Sequence, residues 1–154
     1  MGSPDAATPP GLVHRALVHH GEDELLAHLT TFAREGVEAG DETMVVASPR
    51  RLWAVRSEVG ADAPVGWLPN RITSTRVGVA FDDIRRQVAA RAGDGRVRVA
   101  ADWDLTGMTG SERRAFMRWE AAATAILAHA DATVLCCHDG ADPAVAAGAR
   151  ATHP

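Results

Sequence analysis

Cys136, Cys137, His138 and Asp139 are consecutive near the C-terminal end of the chain, in the stretch "TVLCCHDG". Together they offer a thiol, an acid–base group and three kinds of metal donor. A zinc centre would use thiolate and imidazole, and a catalytic cysteine would need a histidine within hydrogen-bond reach. The stretch nevertheless reads as the end of a strand. Successive strand side chains face opposite sides of the sheet, so Cys136 and Cys137 cannot both reach one ion from regular geometry. A buried free cysteine behaves as a small apolar residue. Two adjacent cysteines cannot build a disulfide framework either. We therefore assign no metal to this stretch and expect a core strand that delivers His138 and Asp139 to a ligand-binding edge.

The other reactive types are spread out. Seven histidines occur in 154 residues, and histidine is the side chain whose ordinary pKa lies near neutrality. His19 and His20 are adjacent, without the i, i+4 spacing of a helical zinc motif. The loop that follows them carries Glu22, Asp23 and Glu24, has no phosphate-cradling glycine pattern and would repel a phosphate. The glycine–serine elbow of a hydrolase is also missing from the sequence. Glu120 stands at helical spacing from Phe116 and Thr124 beside the apolar face, which allows a partly buried acid but favours a solvated boundary residue.

These residues need elements to position them, and the chain alternates between two periodicities. "LVHRALVH" (12–19), "TMVVA", "PVGWLP", "RVRVAA" and "ATVLCC" have the short apolar or alternating pattern of strands. Helical spacing links Leu25, Leu29, Phe32, Ala33 and Val37, with Gly40 as a terminal cap. Ser48 and Pro49 open a second helix that ends near Gly60. "RITSTRVG" reads as a polar connector before a third helix carrying Phe81, Ile84, Val88 and Ala92 and stopped by "GDG". Ser111 is expected to cap a fourth helix running from Glu112 to about Ala130, and a short Ala-rich helix follows Asp142 and Pro143. Strict alternation of strand and helix predicts an α/β fold, a mainly parallel sheet of about five strands with helices on both faces.

In such sheets ligands bind outside the carboxyl ends of the strands. That rule selects His19 and His20, Ser48, the run Asp102, Trp103 and Asp104, and the pair His138 and Asp139. Composition excludes several alternatives. A formal charge of −4, with all 16 cationic residues arginine, leaves no basic footprint for nucleic acid. No apolar run approaches the roughly 20 residues of a membrane span, and residues 1–11 read as a loose leader without a signal-peptide pattern. A single domain over residues 12–154 and a cytoplasmic location are expected.

The segments "HRALVH", "FAREGVEAGDETMVVAS", "RVRVAADW", "WEAAATAIL", "VLCCHD" and "ARATHP", taken in order, resemble the MEDS domain, the methanogen and methylotroph sensory domain of dichloromethane-regulator type. The resemblance covers about Leu12 to Pro154. It implies a RecA-like core without a phosphate loop and a sensory role toward small hydrocarbon derivatives. It also implies an output partner such as a histidine-kinase-like ATPase or a transcription factor, acting in trans or fused beyond "THP". His14 matches the family's first-strand histidine, Glu120 the acid of its fourth helix, and Cys136 and Asp139 its last-strand end. The family often has tyrosine where this chain has His19, Trp119 and His138, and Asp102 meets its glutamate only with a shifted register.

The resulting expectation is a non-catalytic sensory or regulatory domain in signal transduction or transcription control. It would bind a small molecule or a partner protein through His14, His19, His20, Asp102, Trp103, Glu120, Cys136, His138 and Asp139. No cofactor, direct nucleic-acid contact or membrane contact is expected. The alternatives are a metal- or acid–base enzyme using the histidine and aspartate cluster at the sheet edge, and a degenerate nucleotide-binding protein.

Overall fold

The computed structural model describes residues 11–70, 77–91 and 95–153. Residues 1–10 of the loose leader, residues 71–76 of the "RITSTRVG" connector, Ala92 and the first two residues of the "GDG" stop lie outside these residues. Strands β1 (Val13–His19), β2 (Glu42–Ala47), β3 (Val65–Pro69), β4 (Val97–Asp102) and β5 (Ala132–Asp139) alternate with helices α1 (Glu22–Ala39), α2 (Pro49–Val59), α3 (Val77–Arg91), α4 (Gly110–Ile126) and α5 (Pro143–Thr152). All strand pairs are parallel and the sheet order is β1-β5-β4-β2-β3. The expected three-layer α/β architecture is present.

The layers follow from the direction of each crossover. Right-handed connections place a helix on one face when the chain moves one way across the sheet and on the other face when it returns. Helices α1 and α2 carry the chain outward toward β3, and their Leu25, Leu29, Leu52 and Val55 pack on one face with Val45, Ala100 and Cys137. Helices α3 and α4 bring it back, so Phe81 and Phe116 cover the other face with Val99, Val134 and Cys136. Helix α5 adds Val145 to that second core. Cys136 and Cys137 therefore face opposite sides, as strand geometry requires. Pro69 ends β3 at the edge of the sheet, where a missing N–H costs no ladder bond.

Local signals fix the helix ends. Ser48 accepts a bond from the Arg51 N–H with Pro49 in the first turn, and Asp142 does the same for Ala144 and Val145 ahead of Pro143. Two boundaries differ from the sequence reading. Helix α4 is capped by Thr109, not Ser111, because Thr109 and Glu112 form a reciprocal capping box that leaves Ser111 inside the first turn. The helix also stops at Ile126 rather than near Ala130, since the chain turns after the Leu127 cap to enter β5 at Ala132. Helix α3 begins at Val77, inside the segment read as connector. Among the described residues no helix is long and apolar enough to cross a membrane.

Helix α1 lies close on the sheet because of Gly36. A Cβ at that position would fall 2.1 Å from Thr43 Oγ1 and 3.1 Å from Thr43 Cγ2, and Thr43 is itself buried. Gly36→Ala should therefore lower unfolding free energy by about 1–3 kcal/mol, the usual range for overpacking. Urea melts of the variant and the native chain measure this, and an unchanged midpoint would show that α1 can move away freely.

Candidate functional site

Two groups of functional side chains are stacked, one at the carboxyl edge of the sheet and one beneath it. The upper group lines a cavity of about 270 Å³ with walls from His19, Arg51, Asp102, Trp103, Arg113 and Asp139, among others. Asp102 ends β4 and is buried. It accepts a 2.8 Å bond from Arg51 Nη1 at the start of α2. Its main-chain oxygen accepts from Asn70 Nδ2 at 2.6 Å. Burial raises the Asp102 carboxyl above its ordinary value, outweighing the opposing pull of Arg51. Burial opposes ionisation of Arg51, but Asp102 and Glu22 hold its pKa above the ordinary value. Asp104 and Asp139 are exposed, and each folds back to accept a backbone N–H two residues on, from Thr106 and Ala141 respectively. Asp142 pairs with Arg113.

The first-strand loop is poorly suited to a phosphate. The His20 backbone N–H is already bound to Glu24 at 2.7 Å, and the first turn of α1 holds Glu22, Asp23 and Glu24. Glu22 is paired with Arg50 and Arg51.

The lower group surrounds Glu120, and here the sequence expectation is overturned. Glu120 is fully buried rather than solvated, because its place on α4 between Phe116 and Ala123 turns it toward the sheet. Its Oε1 lies 3.4 Å from His153 Nε2, 3.8 Å from His14 Nε2 and 3.8 Å from His138 Nε2. Among the described residues neither carboxylate oxygen has a hydrogen bond of ordinary geometry, and neither ring nitrogen of His138 has one. His14 Nε2 stands 3.3 Å from Cys136 Sγ and 3.0 Å from His153 Nε2. Outer partners orient both rings: His14 Nδ1 is 2.9 Å from Thr124 Oγ1, and His153 Nδ1 donates to the Ala149 carbonyl at 2.8 Å.

Burial pushes His14 and His138 down to about 4, and the nearby charge of His153 adds to that while Glu120 opposes it. Burial would raise Glu120, but His153, Cys136 and the charge on His138 outweigh it and leave the carboxyl below its usual value. Burial likewise opposes charge on His153, yet Glu120 and the Ala149 carbonyl raise it above an ordinary imidazole. Burial, followed by Glu120, pushes the Cys136 thiol well up. The ligand atoms of His14, Glu120, Cys136 and His153 all lie within 4.8 Å of one another, an arrangement that could hold a metal ion.

The candidates chosen from sequence thus separate. His19, Asp102, Trp103 and Asp139 share the edge cavity. His14, Glu120, Cys136 and His138 gather below it. His138 lies inside β5 rather than after it, and its even position turns it to the face of Cys136, whereas His19 pairs in register with Asp139 on the other parity. His19 and His138 therefore do not share a pocket, and the edge cluster of His19, His20 and His138 does not assemble. His20 is exposed, beside Gly140. Sequence reasoning missed His153, Arg51, Arg113 and Asp142. No pattern flags His153, which follows an Ala-rich helix, although its approach to β1 brings a fourth donor.

A model of the MEDS family, "MEthanogen/methylotroph, DcmR Sensory domain", matches residues 13–154. No curated protein matches the chain significantly.

The low pKa values of His14 and His138 have a consequence for stability. Between pH 4 and 6.5 both rings are protonated when unfolded and neutral when folded, so stability falls as pH drops through this window. Each contributes up to about 1.4 kcal/mol per pH unit. His153 has a raised pKa, so its contribution is complete below about 6.5 and is lost only above that. In metal-free buffer, urea unfolding should show stability declining from pH 6.5 to 4, with a shallower decline in His138→Gln. A flat profile over that range would mean that these rings are solvated.

Proposed function

The chain belongs to the MEDS family of sensory domains, and from that premise we propose that it is a non-catalytic sensor holding a small polar molecule in the carboxyl-edge cavity. The observation that carries this reading is the makeup of that cavity. The end of β1, the loops after β4 and β5 and the start of α2 converge on one polar space of about 270 Å³, near the lower end of small-ligand site sizes and in the position expected for an open parallel sheet. Four aspartates face two arginines there. Both arginines are already paired, with Asp102 and Asp142. The remaining carboxylates, Asp104 and Asp139, favour a ligand that is cationic or rich in hydrogen-bond donors, and they disfavour nucleotides.

Absence of catalysis is part of the proposal. The cavity's carboxylates and arginines are bound to one another or to their own turns, and the sequence contains no hydrolase elbow or phosphate loop. Occupancy would reach a regulatory partner by favouring one of two conformations of the domain, as any ligand-driven switch requires. A cytoplasmic kinase-like ATPase or transcription factor would be such a partner.

The test is a thermal-shift screen across amines, polyols, nucleotides and small apolar compounds, followed by titration of each hit. A ligand present at a hundred times its dissociation constant stabilises by about 2.7 kcal/mol. Asn can keep the turn bonds now made by Asp104 and Asp139 while removing their charge. The double variant Asp104→Asn, Asp139→Asn should therefore hold its melting temperature and bind a polar hit at least tenfold more weakly. Hits confined to apolar compounds, or equal affinity in the double variant, would contradict the assignment.

A further inference from the structure

The buried cluster beneath the cavity has the composition and spacing of a metal centre. We propose that His14, Glu120, Cys136 and His153 bind one first-row divalent transition metal, zinc foremost, in a closed four-ligand site.

The first argument is geometric. Tetrahedral zinc binds nitrogen and oxygen at about 2.0–2.2 Å and sulfur at about 2.3 Å, which sets neighbouring donors about 3.3–3.6 Å apart. The relevant separations are 3.3 Å for His14 Nε2 to Cys136 Sγ, 3.0 Å for His14 Nε2 to His153 Nε2, 3.4 Å for His153 Nε2 to Glu120 Oε1 and 3.8 Å for His14 Nε2 to Glu120 Oε1. These four edges bracket the required length before any ion is added, and the two remaining edges, from Cys136 Sγ to His153 and to Glu120, lie within 4.8 Å.

The second argument is the chemistry of the donor set. Two imidazole nitrogens, a carboxylate oxygen and a sulfur converge on one point, and all four are groups that a borderline cation accepts. A metal-free cluster satisfies the imidazoles but leaves the carboxylate poorly bonded. Glu120 is fully buried, yet neither of its oxygens has a hydrogen bond of ordinary geometry among the described residues. Three histidine nitrogens at 3.4–3.8 Å offset the burial of this carboxylate only in part, and a divalent ion at its Oε1 would complete the compensation.

The third argument lies one layer out. Metal-binding histidines characteristically give their second ring nitrogen to a carbonyl, a carboxylate or another fixed group, which sets the tautomer. His153 Nδ1 donates to the Ala149 carbonyl, so its Nε2 keeps a lone pair in the neutral ring. His14 Nδ1 is engaged by the Thr124 hydroxyl, leaving Nε2 as the inward atom. Both rings are turned as ligands would be.

Four protein donors complete a tetrahedron, which leaves no open position for substrate; the site is structural in type. Its ligands come from β1, α4, β5 and the residue capping α5. The ion would tie the end of α5 to the sheet, and His138, 3.8 Å from Glu120 Oε1, would sit beside it. This site is separate from the edge cavity and does not depend on the ligand proposed for it.

The test uses the full chain, stripped with a chelator and titrated with zinc and with cobalt(II). One equivalent of either metal should bind. The cobalt form should show the strong visible absorption of tetrahedral coordination and a near-ultraviolet thiolate-to-cobalt band. Cys136→Ser should lose the thiolate band, while Cys137→Ser keeps it. His153→Ala, checked for native folding by circular dichroism, should bind at least tenfold more weakly. Failure of the native chain to bind either metal would overturn the proposal, as would unchanged affinity in His153→Ala together with an unchanged spectrum in Cys136→Ser.

Discussion

A carboxylate out of contact with water must be compensated, and the placement of Glu120 imposes that condition on much of this domain. Removing such a group from solvent costs several kcal/mol even after relaxation. The helix that carries it cannot turn it outward without also exposing Phe116 and Ala123, which lie on the same stripe and are buried. The answer is a shell of imidazole and thiol: His14 from β1, Cys136 and His138 from β5, and His153 from the end of α5. Three other elements therefore meet α4 at one residue, and they include both ends of the described chain.

The edge cavity stands on this foundation. Trp103 connects the two levels: it lines the cavity and stacks on Phe81 at 5.2 Å. It also meets Phe116 edge-on at 5.5 Å, and Phe116 in turn contacts His138 at 6.0 Å. Protein interiors are close-packed, so a shift at one of these rings is passed to the next rather than absorbed. A sensor needs such a connection between the place where a ligand sits and the elements that would present a changed surface. Here the rings run from the cavity floor to the buried cluster that holds α5.

Much of this was legible in the sequence. The alternation of periods gave the five strands and five helices, and the Ser48–Pro49 and Asp142–Pro143 pairs marked helix starts. Opposite faces for Cys136 and Cys137 followed from strand geometry alone. Strand order was not legible, because crossover direction depends on long-range pairing that no local pattern encodes. The sheet order decides which sites form, since it seats β1 beside β5 and so brings His14 to Cys136. Glu120 was misjudged as solvated by weighing residue type over position, although its spacing from Phe116 and Ala123 already put it on the buried stripe. His153 could not have been found from pattern, because its role depends on where α5 ends in space.

The claim at the centre of this account is that the histidines around Glu120 are desolvated and hold protonation states that free imidazoles would not. Nitrogen-15 NMR of the imidazole side chains reads both properties directly. In metal-free protein at pH 6 the account predicts neutral His14 and His138 rings beside a predominantly protonated His153, whose Nδ1–H meets the Ala149 carbonyl. Rings that titrate with ordinary midpoints near 6.5 and exchange between tautomers would contradict it.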